Sequence, residues 1–214
     1  MTDIKLKLVI VDDHAVVRAG YRLLLEAESD FEVIAELSSG EEANQQLAGL
    51  NPDVAIMDIS MPGMGGLEAI KRIKIKLPDL KFLVFTMHDN QTFMEHALEA
   101  GAHGYVTKNS APNVLVEAVR KVCSGGQYID AELEEKLMLS RSQGKGGVLG
   151  RLSKREFQIF CKFAEGLNTQ EISDELSLSI KTVANYQTQI KEKLGISSTS
   201  ELVKLAINKG IIQL

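Results

Sequence analysis

Five short, largely apolar runs punctuate the first half of the chain: KLVIV from Lys7, FEVIAEL from Phe31, DVAIMD from Asp53, KFLVFT from Lys81 and GYVTK from Gly104. Each is followed by a stretch with helical periodicity, and no other feature of the sequence restricts the fold as tightly. A run without a polar face has to be covered on both sides, and strands separated by helices pair in parallel. The alternation therefore predicts an α/β class domain, a doubly wound five-stranded parallel sheet with helices on both faces.

Such a domain uses little more than half of the 214 residues, so a second domain is expected behind it. Charge separates the two. Residues 1–140 hold 13 Lys and Arg against 22 Asp and Glu, a balance of −9, whereas residues 151–214 hold 9 against 7, a balance of +2. RSQGKGGVLG, residues 141–150, lies between them and reads as a flexible linker, with glycines and no apolar period. The expected organisation is a first domain over 1–125, a linker with a possible helix over 126–150, and a second domain over 151–214. With 44% hydrophobic and 25% charged residues, the chain has an ordinary globular composition with enough apolar material for packed cores. MTDIKLK is not a signal peptide, and no run approaches the length needed to cross a bilayer, so the expectation is a cytoplasmic protein without membrane insertion. Cys123 and Cys161 stand apart among apolar residues, as buried thiols of a reducing compartment.

Ligands of doubly wound sheets bind outside the carboxyl ends of the strands, where strand order reverses. The first strand ends on Asp12 and Asp13, the third on Asp58, the fourth on Thr86 and the fifth on Lys108; the second, ending at Leu37 and Ser38, offers no such group. Singly, each residue has an ordinary use: an aspartate can cap a helix or initiate a turn, and a lysine is usually solvated. Together they place three carboxylates, a hydroxyl and an amine in one crevice. Carboxylates that close repel unless a countercharge is present, and Mg2+, which takes oxygen ligands and tolerates one or two carboxylates plus a phosphate oxygen, supplies it. A carboxylate beside Mg2+ can serve as nucleophile toward a phosphoryl group, with Asp58 the candidate nucleophile and Lys108 the neutralising amine. His14 and His88 read as surface residues, and Met57, Met61, Met64 and Met87 as packing around the loops.

VDDH, MDISMPGMGG, FTMHD and GYVTK, in this order and spacing, resemble the flavodoxin-like receiver domain of bacterial two-component response regulators over about residues 5–125. The resemblance implies that Asp58 accepts a phosphoryl group from a sensor histidine kinase. It further implies that Asp13, Asp58 and the backbone carbonyl of Ser60 ligate Mg2+ while Asp12 acts through water. Thr86 would bond the phosphoryl oxygen and Tyr105 would swing inward as it does. Where many receivers follow the lysine with proline, this chain has Asn109.

Beyond Leu152, helix-start signals stand at Ser153/Glu156, Asn168/Glu171, Ser179 and Ser198/Glu201, and stops at Gly166, Gly195 and Gly210. They predict an all-α domain of four helices, near 154–165, 169–176, 180–194 and 199–209, with only SLS between the second and third: a helix-turn-helix. On the third helix Val183, Tyr186, Ile190 and Leu194 share one face, leaving Lys181, Asn185, Thr188 and Glu192 on the other. N-terminal residues of a recognition helix meet base edges, which marks Lys181, Thr182, Ala184, Asn185 and Thr188, with Lys191 further along. A solvated face on a small bundle is the plainer alternative, and a balance of only +2 gives it weight.

LSKREFQIF, EISDELSLSIKTV and KEKLGI then resemble the LuxR-type DNA-binding domain that follows receivers in the NarL/FixJ subfamily. Members often carry lysine where Ala184 stands, histidine at Tyr186 and arginine at Thr199. Fewer cations imply fewer phosphate contacts per monomer and dependence on dimerisation, at inverted half-sites in double-stranded promoter DNA. The resemblance places that dimer contact on the last helix, at Leu202, Val203, Leu205 and Ala206, which could equally close the domain's own core. The functional expectation is a phosphorylation-switched transcription regulator, homodimeric when phosphorylated, whose only catalysis is its own phosphoryl transfer and dephosphorylation. An aspartyl-phosphate hydrolase would place a second aspartate at Ser60, and a nucleotide or flavin carrier a glycine-rich loop after the first strand; neither is present.

Overall fold

The computed structural model of the chain describes residues 5–130, 133–134 and 148–212. They belong to two compact units, one α/β and one helical. In the first, the elements run β1 (Leu6–Val11), α1 (Ala15–Glu26), β2 (Phe31–Leu37), α2 (Gly40–Leu50), β3 (Val54–Met57), α3 (Gly66–Lys76), β4 (Lys81–Thr86), α4 (Gln91–Ala100), β5 (Gly104–Thr107), α5 (Pro112–Cys123) and β6 (Tyr128–Ile129). The sheet is parallel throughout, in the order β2-β1-β3-β4-β5-β6. From β1 the chain winds outward to β2, then returns to β3 on the other side, so strand order reverses between β1 and β3.

Burial follows sheet position. β3 and β5 are wholly buried and β4 nearly so, whereas β2 at the edge alternates between covered and accessible residues. One face of the sheet, with Leu8, Ile10, Ile56, Leu83 and Phe85, packs on Leu25 of α1 and Leu115, Val119 and Val122 of α5. The alternate residues Val9, Val11, Ala55, Met57, Phe82 and Val84 are just as buried on the opposite face. Each large side chain removed from water in this way contributes about 1.5–3 kcal/mol before entropy is counted.

The expected sheet has five strands; the structure has six. β6 lies in residues assigned from sequence to the linker, and it pairs with β5 as Gly104↔Tyr128 and Tyr105↔Ile129. Two residues are too few to show a strand period. Gly104 permits the pairing, since a Cβ there would come 2.7 Å from Leu83 Cδ1 and 3.0 Å from the Tyr128 carbonyl oxygen. Most of RSQGKGGVLG lies outside the described residues, and of the possible linker helix only Leu133 and Glu134, both helical, are described.

The second unit opens with a 3-10 turn at Val148–Arg151, followed by α6 (Lys154–Ala164), α7 (Thr169–Glu175), α8 (Ile180–Leu194) and α9 (Thr199–Asn208). The four helices begin at the anticipated caps. Ser153 with Glu156 and Asn168 with Glu171 form capping boxes, and Ser179 and Ser198 accept from the amides of Thr182 and Glu201. Gly195 ends α8 at φ 67°, a left-handed position that favours glycine. Phe157, Phe160, Ile172, Val183, Ile190 and Leu202 are fully buried here. Buried Glu156 also receives Lys193 Nζ at 2.6 Å, which ties the start of α6 to the end of α8. Burial pushes the Glu156 carboxyl up, but Lys193 and Ser153 outweigh it and hold it below its ordinary value.

Cys123 is half-buried, Cys161 buried, and both are free thiols. No described helix is long and apolar enough to cross a membrane.

Candidate functional site

Strand register sets the site. Val11 pairs with Met57 across β1 and β3, so the next residue of each strand, Asp12 and Asp58, stands side by side at the carboxyl edge. Thr86 pairs with Thr107 across β4 and β5, which brings Lys108 to the same edge. Backbone hydrogen bonds carry the ladder one residue further, from Asp58 N to Val11 O (2.8 Å) and from Lys108 N to Thr86 O (2.7 Å). The strand-end residues singled out in the sequence thus converge where strand order reverses.

Asp12 and Asp58 are each 3% exposed and Thr86 is fully buried. Lys108 Nζ bridges the carboxylates, donating to Asp12 Oδ2 at 2.5 Å and to Asp58 Oδ2 at 2.6 Å. The remaining oxygens are met from the backbone: Asp12 Oδ1 accepts from His14 N at 2.8 Å and Asp58 Oδ1 from Ser60 N at 3.0 Å. Both are turns in which an aspartate bonds the amide two residues on, so the fold aims the side chains without spending the Oδ2 atoms. Burial alone would pull the Lys108 ammonium down; Asp58 and Asp12 more than reverse this and raise it above its ordinary value. It is charged at neutral pH.

Asp13 is the more accessible carboxylate, and its Oδ1 atom is buried without a hydrogen bond. The His14 ring nitrogen Nδ1 lies 3.1 Å from that oxygen and 3.3 Å from Asp12 Oδ1, an ion-pair distance in the protonated form. Asp12, Asp13, His14 and Asp58 offer ligand atoms that all lie within 4.8 Å of one another. Three hard oxygen donors, one of them buried and unbonded, suit a small divalent cation such as Mg2+. His14, read as a surface residue, remains exposed but turns its ring onto this cluster, while Arg18, one helical turn on, places its guanidinium on the Asp12 carbonyl. From sequence His14 was read only as a surface residue and Arg18 was not singled out, although both fall on the first turns after the paired aspartates.

The loop after β3 is held just as closely. Gly66 begins α3 against the Asp58 backbone, where a Cβ would sit 2.0 Å from the Asp58 carbonyl oxygen. Gly63 and Gly65, at φ 73° and 69°, turn the loop back, and Glu41 of α2 accepts from Met64 N at 2.8 Å. Met57 and Met61 are buried and Met64 partly so, whereas Met87 is 58% exposed and does not pack as expected.

Thr86 Oγ1 accepts from His88 N at 3.4 Å and lies 3.5 Å from Ser60 Oγ, both long contacts. Tyr105 is fully buried and donates to the His88 carbonyl at 2.8 Å. One residue, His88, therefore connects the threonine to the tyrosine, through its amide on one side and its carbonyl on the other. Burial first, then the charges of Asp58 and Asp89, raise the Tyr105 phenol well above its ordinary value, so it stays a donor.

In the helical unit, Lys181, Ala184, Asn185 and Thr188 are exposed on α8, opposite buried Val183, Ile190 and Leu194, with Tyr186 and Lys191 in between. Thr182, part-exposed, also serves the helix cap: its amide donates to Ser179 Oγ at 3.1 Å and its hydroxyl lies 2.8 Å from the same oxygen. The expectation for the last helix is corrected. Leu202 and Ala206 are fully buried in a helix that packs on α6, so they close the domain's own core and only Val203 and Leu205 stay partly accessible.

Comparison with known proteins gives both halves a family. Residues 8–120 match the response regulator receiver domain, and residues 150–206 match the luxR family of bacterial regulatory proteins. The chain is 39% identical to the oxygen regulatory protein NreC of Staphylococcus epidermidis, over 97% of this chain and 100% of that protein. It is 40% identical to the transcriptional activator protein ExaE of Pseudomonas putida, over 97% and 98%. Among solved structures it resembles RcsB of Salmonella enterica serovar Typhimurium, captured on promoter rprA with the phosphomimetic BeF3−. There the TM-score is 0.71 at 30% identity, covering 94% of this chain and 97% of that one.

Proposed function

The chain belongs to the two-component response regulators of the NarL/FixJ type, a receiver followed by a LuxR-type helix-turn-helix domain, and from that membership we propose that a phosphoryl group on Asp58 controls its binding to promoter DNA. The observation that carries the reading is the buried Asp12–Lys108–Asp58 bridge at the strand-order reversal. The donor is the phosphohistidine of a sensor histidine kinase. An Asp58 carboxylate oxygen attacks phosphorus, the new O–P bond replaces the histidine N–P bond, and the electron pair of the broken bond stays on the imidazole.

Asp13 and Asp58 would hold Mg2+, with the Ser60 carbonyl as a third ligand and Asp12 acting through water. Bound there, Mg2+ would supply positive charge to offset that of the phosphoryl oxygens. Lys108 exchanges one carboxylate contact for a phosphoryl oxygen. The Asp58 Oδ1 bond to Ser60 N holds the nucleophile's rotamer. Thr86, whose present contacts are long, turns its hydroxyl to donate to the phosphoryl group. Displacing Oγ1 toward the phosphoryl group takes away the acceptor of the His88 amide and shifts the residue on whose carbonyl Tyr105 is anchored. Phosphorylation replaces the single charge of the Asp58 carboxylate by about two on the phosphoryl oxygens. This net gain of about one negative charge is thereby converted into a change on the β4–β5 side of the sheet.

The output is paired binding of two α8 helices to inverted half-sites of double-stranded DNA, with Lys181, Asn185 and Lys191 supplying polar contacts and Val203 with Leu205 the homodimer contact. Gel-shift titration of the full chain over a salt series tests this. Treatment with a small-molecule phosphodonor and Mg2+ should tighten binding, while Asp58→Asn should bind weakly and be indifferent to the donor. Equal tightening in the variant would refute the assignment.

A further inference from the structure

α8 presents a ridge that its polar residues do not explain. Ile180, the first residue of the helix, is 51% exposed, and Ala184 and Thr188 follow it at successive four-residue steps, both exposed. The Thr188 hydroxyl donates to the Ala184 carbonyl at 3.2 Å, so its hydrogen is spent inside the helix. Three side chains in a row thus offer carbon rather than polar hydrogen. None belongs to the core face, which is made by Val183, Ile190 and Leu194. Residues four apart on a helix lie one above the other, and the ridge spans about 12 Å along the axis, three to four base steps.

We propose that the Ile180–Ala184–Thr188 ridge selects thymine through its C5-methyl group in the major groove. The proposal rests on the reading of α8 as the recognition helix. Of the groups that base edges display in that groove, the thymine methyl is the apolar one, and alanine, threonine and larger apolar side chains are its partners; a lysine at the same place would select guanine O6 and N7 instead. Asn185, exposed beside the ridge, has the amide that pairs with adenine, so the preferred half-site combines thymines read by the ridge with an adenine read by Asn185. Lys181 contributes through phosphates, which carry no sequence information.

The test begins by selecting duplexes bound by the phosphodonor-treated full chain from a randomised pool. Each thymine of the selected half-site is then replaced singly by deoxyuridine, which removes only the methyl. Affinity should fall about fourfold at one or two positions, the equivalent of one methyl-sized group left unburied. Ile180→Ala should bind with the sensitivity lost at one of those positions, and Ile180→Lys should move the preference there toward guanine, whereas Lys181→Ala should weaken all sequences alike. A selected site indifferent to every deoxyuridine, or an Ile180→Ala profile identical to that of the parent, overturns the thymine readout and leaves the recognition helix standing. Failure of the treated chain to enrich any sequence overturns both.

Discussion

Replacing Lys108 by methionine keeps the aliphatic stem and removes the ammonium that bridges Asp12 and Asp58. The three side chains are 7%, 4% and 2% exposed, so bulk water compensates poorly for the lost ammonium. Removing one partner of a buried ion pair costs about 3–5 kcal/mol, most of it the penalty of the charge left behind. Here two carboxylates lose a partner, but the amides of His14 and Ser60 still serve one oxygen of each, so the loss stays within that range. A divalent cation answers the same need. At a hundred times its dissociation constant it returns about 2.7 kcal/mol by mass action, and without the competing ammonium it binds the variant more tightly than the parent. Amide hydrogen exchange of the full chain, read at Asp58 N and the central strands, measures this. In chelator the opening free energy should fall by several kcal/mol, and Mg2+ should restore more in Lys108→Met than in the parent. Equal protection of the two proteins in chelator, or equal Mg2+ increments, would refute the account of the crevice as a charge balance shared by lysine and metal.

Gly66→Ala should be among the most damaging small substitutions. The added carbon would lie 2.0 Å from the Asp58 carbonyl oxygen and 2.8 Å from Ile59 Cα, so α3 has to move; a stability loss of about 1–3 kcal/mol in thermal melts, with a larger loss of phosphoryl labelling, is expected. His103 makes the α/β unit sensitive to mild acid. Burial first, then Lys74 and Lys81, lowers its imidazole below the ordinary value, and its Nδ1 accepts from Phe82 N at 3.3 Å. The unfolded chain therefore binds the proton first: stability is complete above about pH 6.5 and declines from there down to the folded value. Urea midpoints measured from pH 7 to pH 5 should fall in the parent and fall less steeply in His103→Asn.

Much of this was legible in the residues because both periods are strong. Strands buried on two faces have to read as apolar runs, and helices capped by a side chain have to display Ser, Asn and Glu at fixed offsets, so the five long strands and the four terminal helices could be placed closely. The site was legible for a related reason: in a doubly wound sheet the crevice residues are those that follow the strands, and Asp12, Asp58, Thr86 and Lys108 do. β6 was not, because two residues define no alternation and its pairing depends on the absence of a side chain at Gly104. His14 and Arg18 reach the aspartates through the first turns of α1, which a strand-end argument does not survey. On α9, Leu202, Val203, Leu205 and Ala206 cover more than one face, and sequence alone cannot say which pair turns inward; packing on α6 selects Leu202 and Ala206. The cap contact of Thr182 was not anticipated because a hydroxyl at the start of a helix can serve the cap as well as a partner.

Chemical trapping of the phosphoryl group tests the central claim most directly. The full chain, treated with a small phosphodonor in Mg2+ or in chelator, is reduced with borohydride, which converts an aspartyl phosphate to homoserine, and is mapped by peptide mass spectrometry. Homoserine should appear at position 58, only when the divalent ion is present. Conversion at Asp12 or Asp13 instead, or equal conversion of Asp58 in chelator, would contradict it.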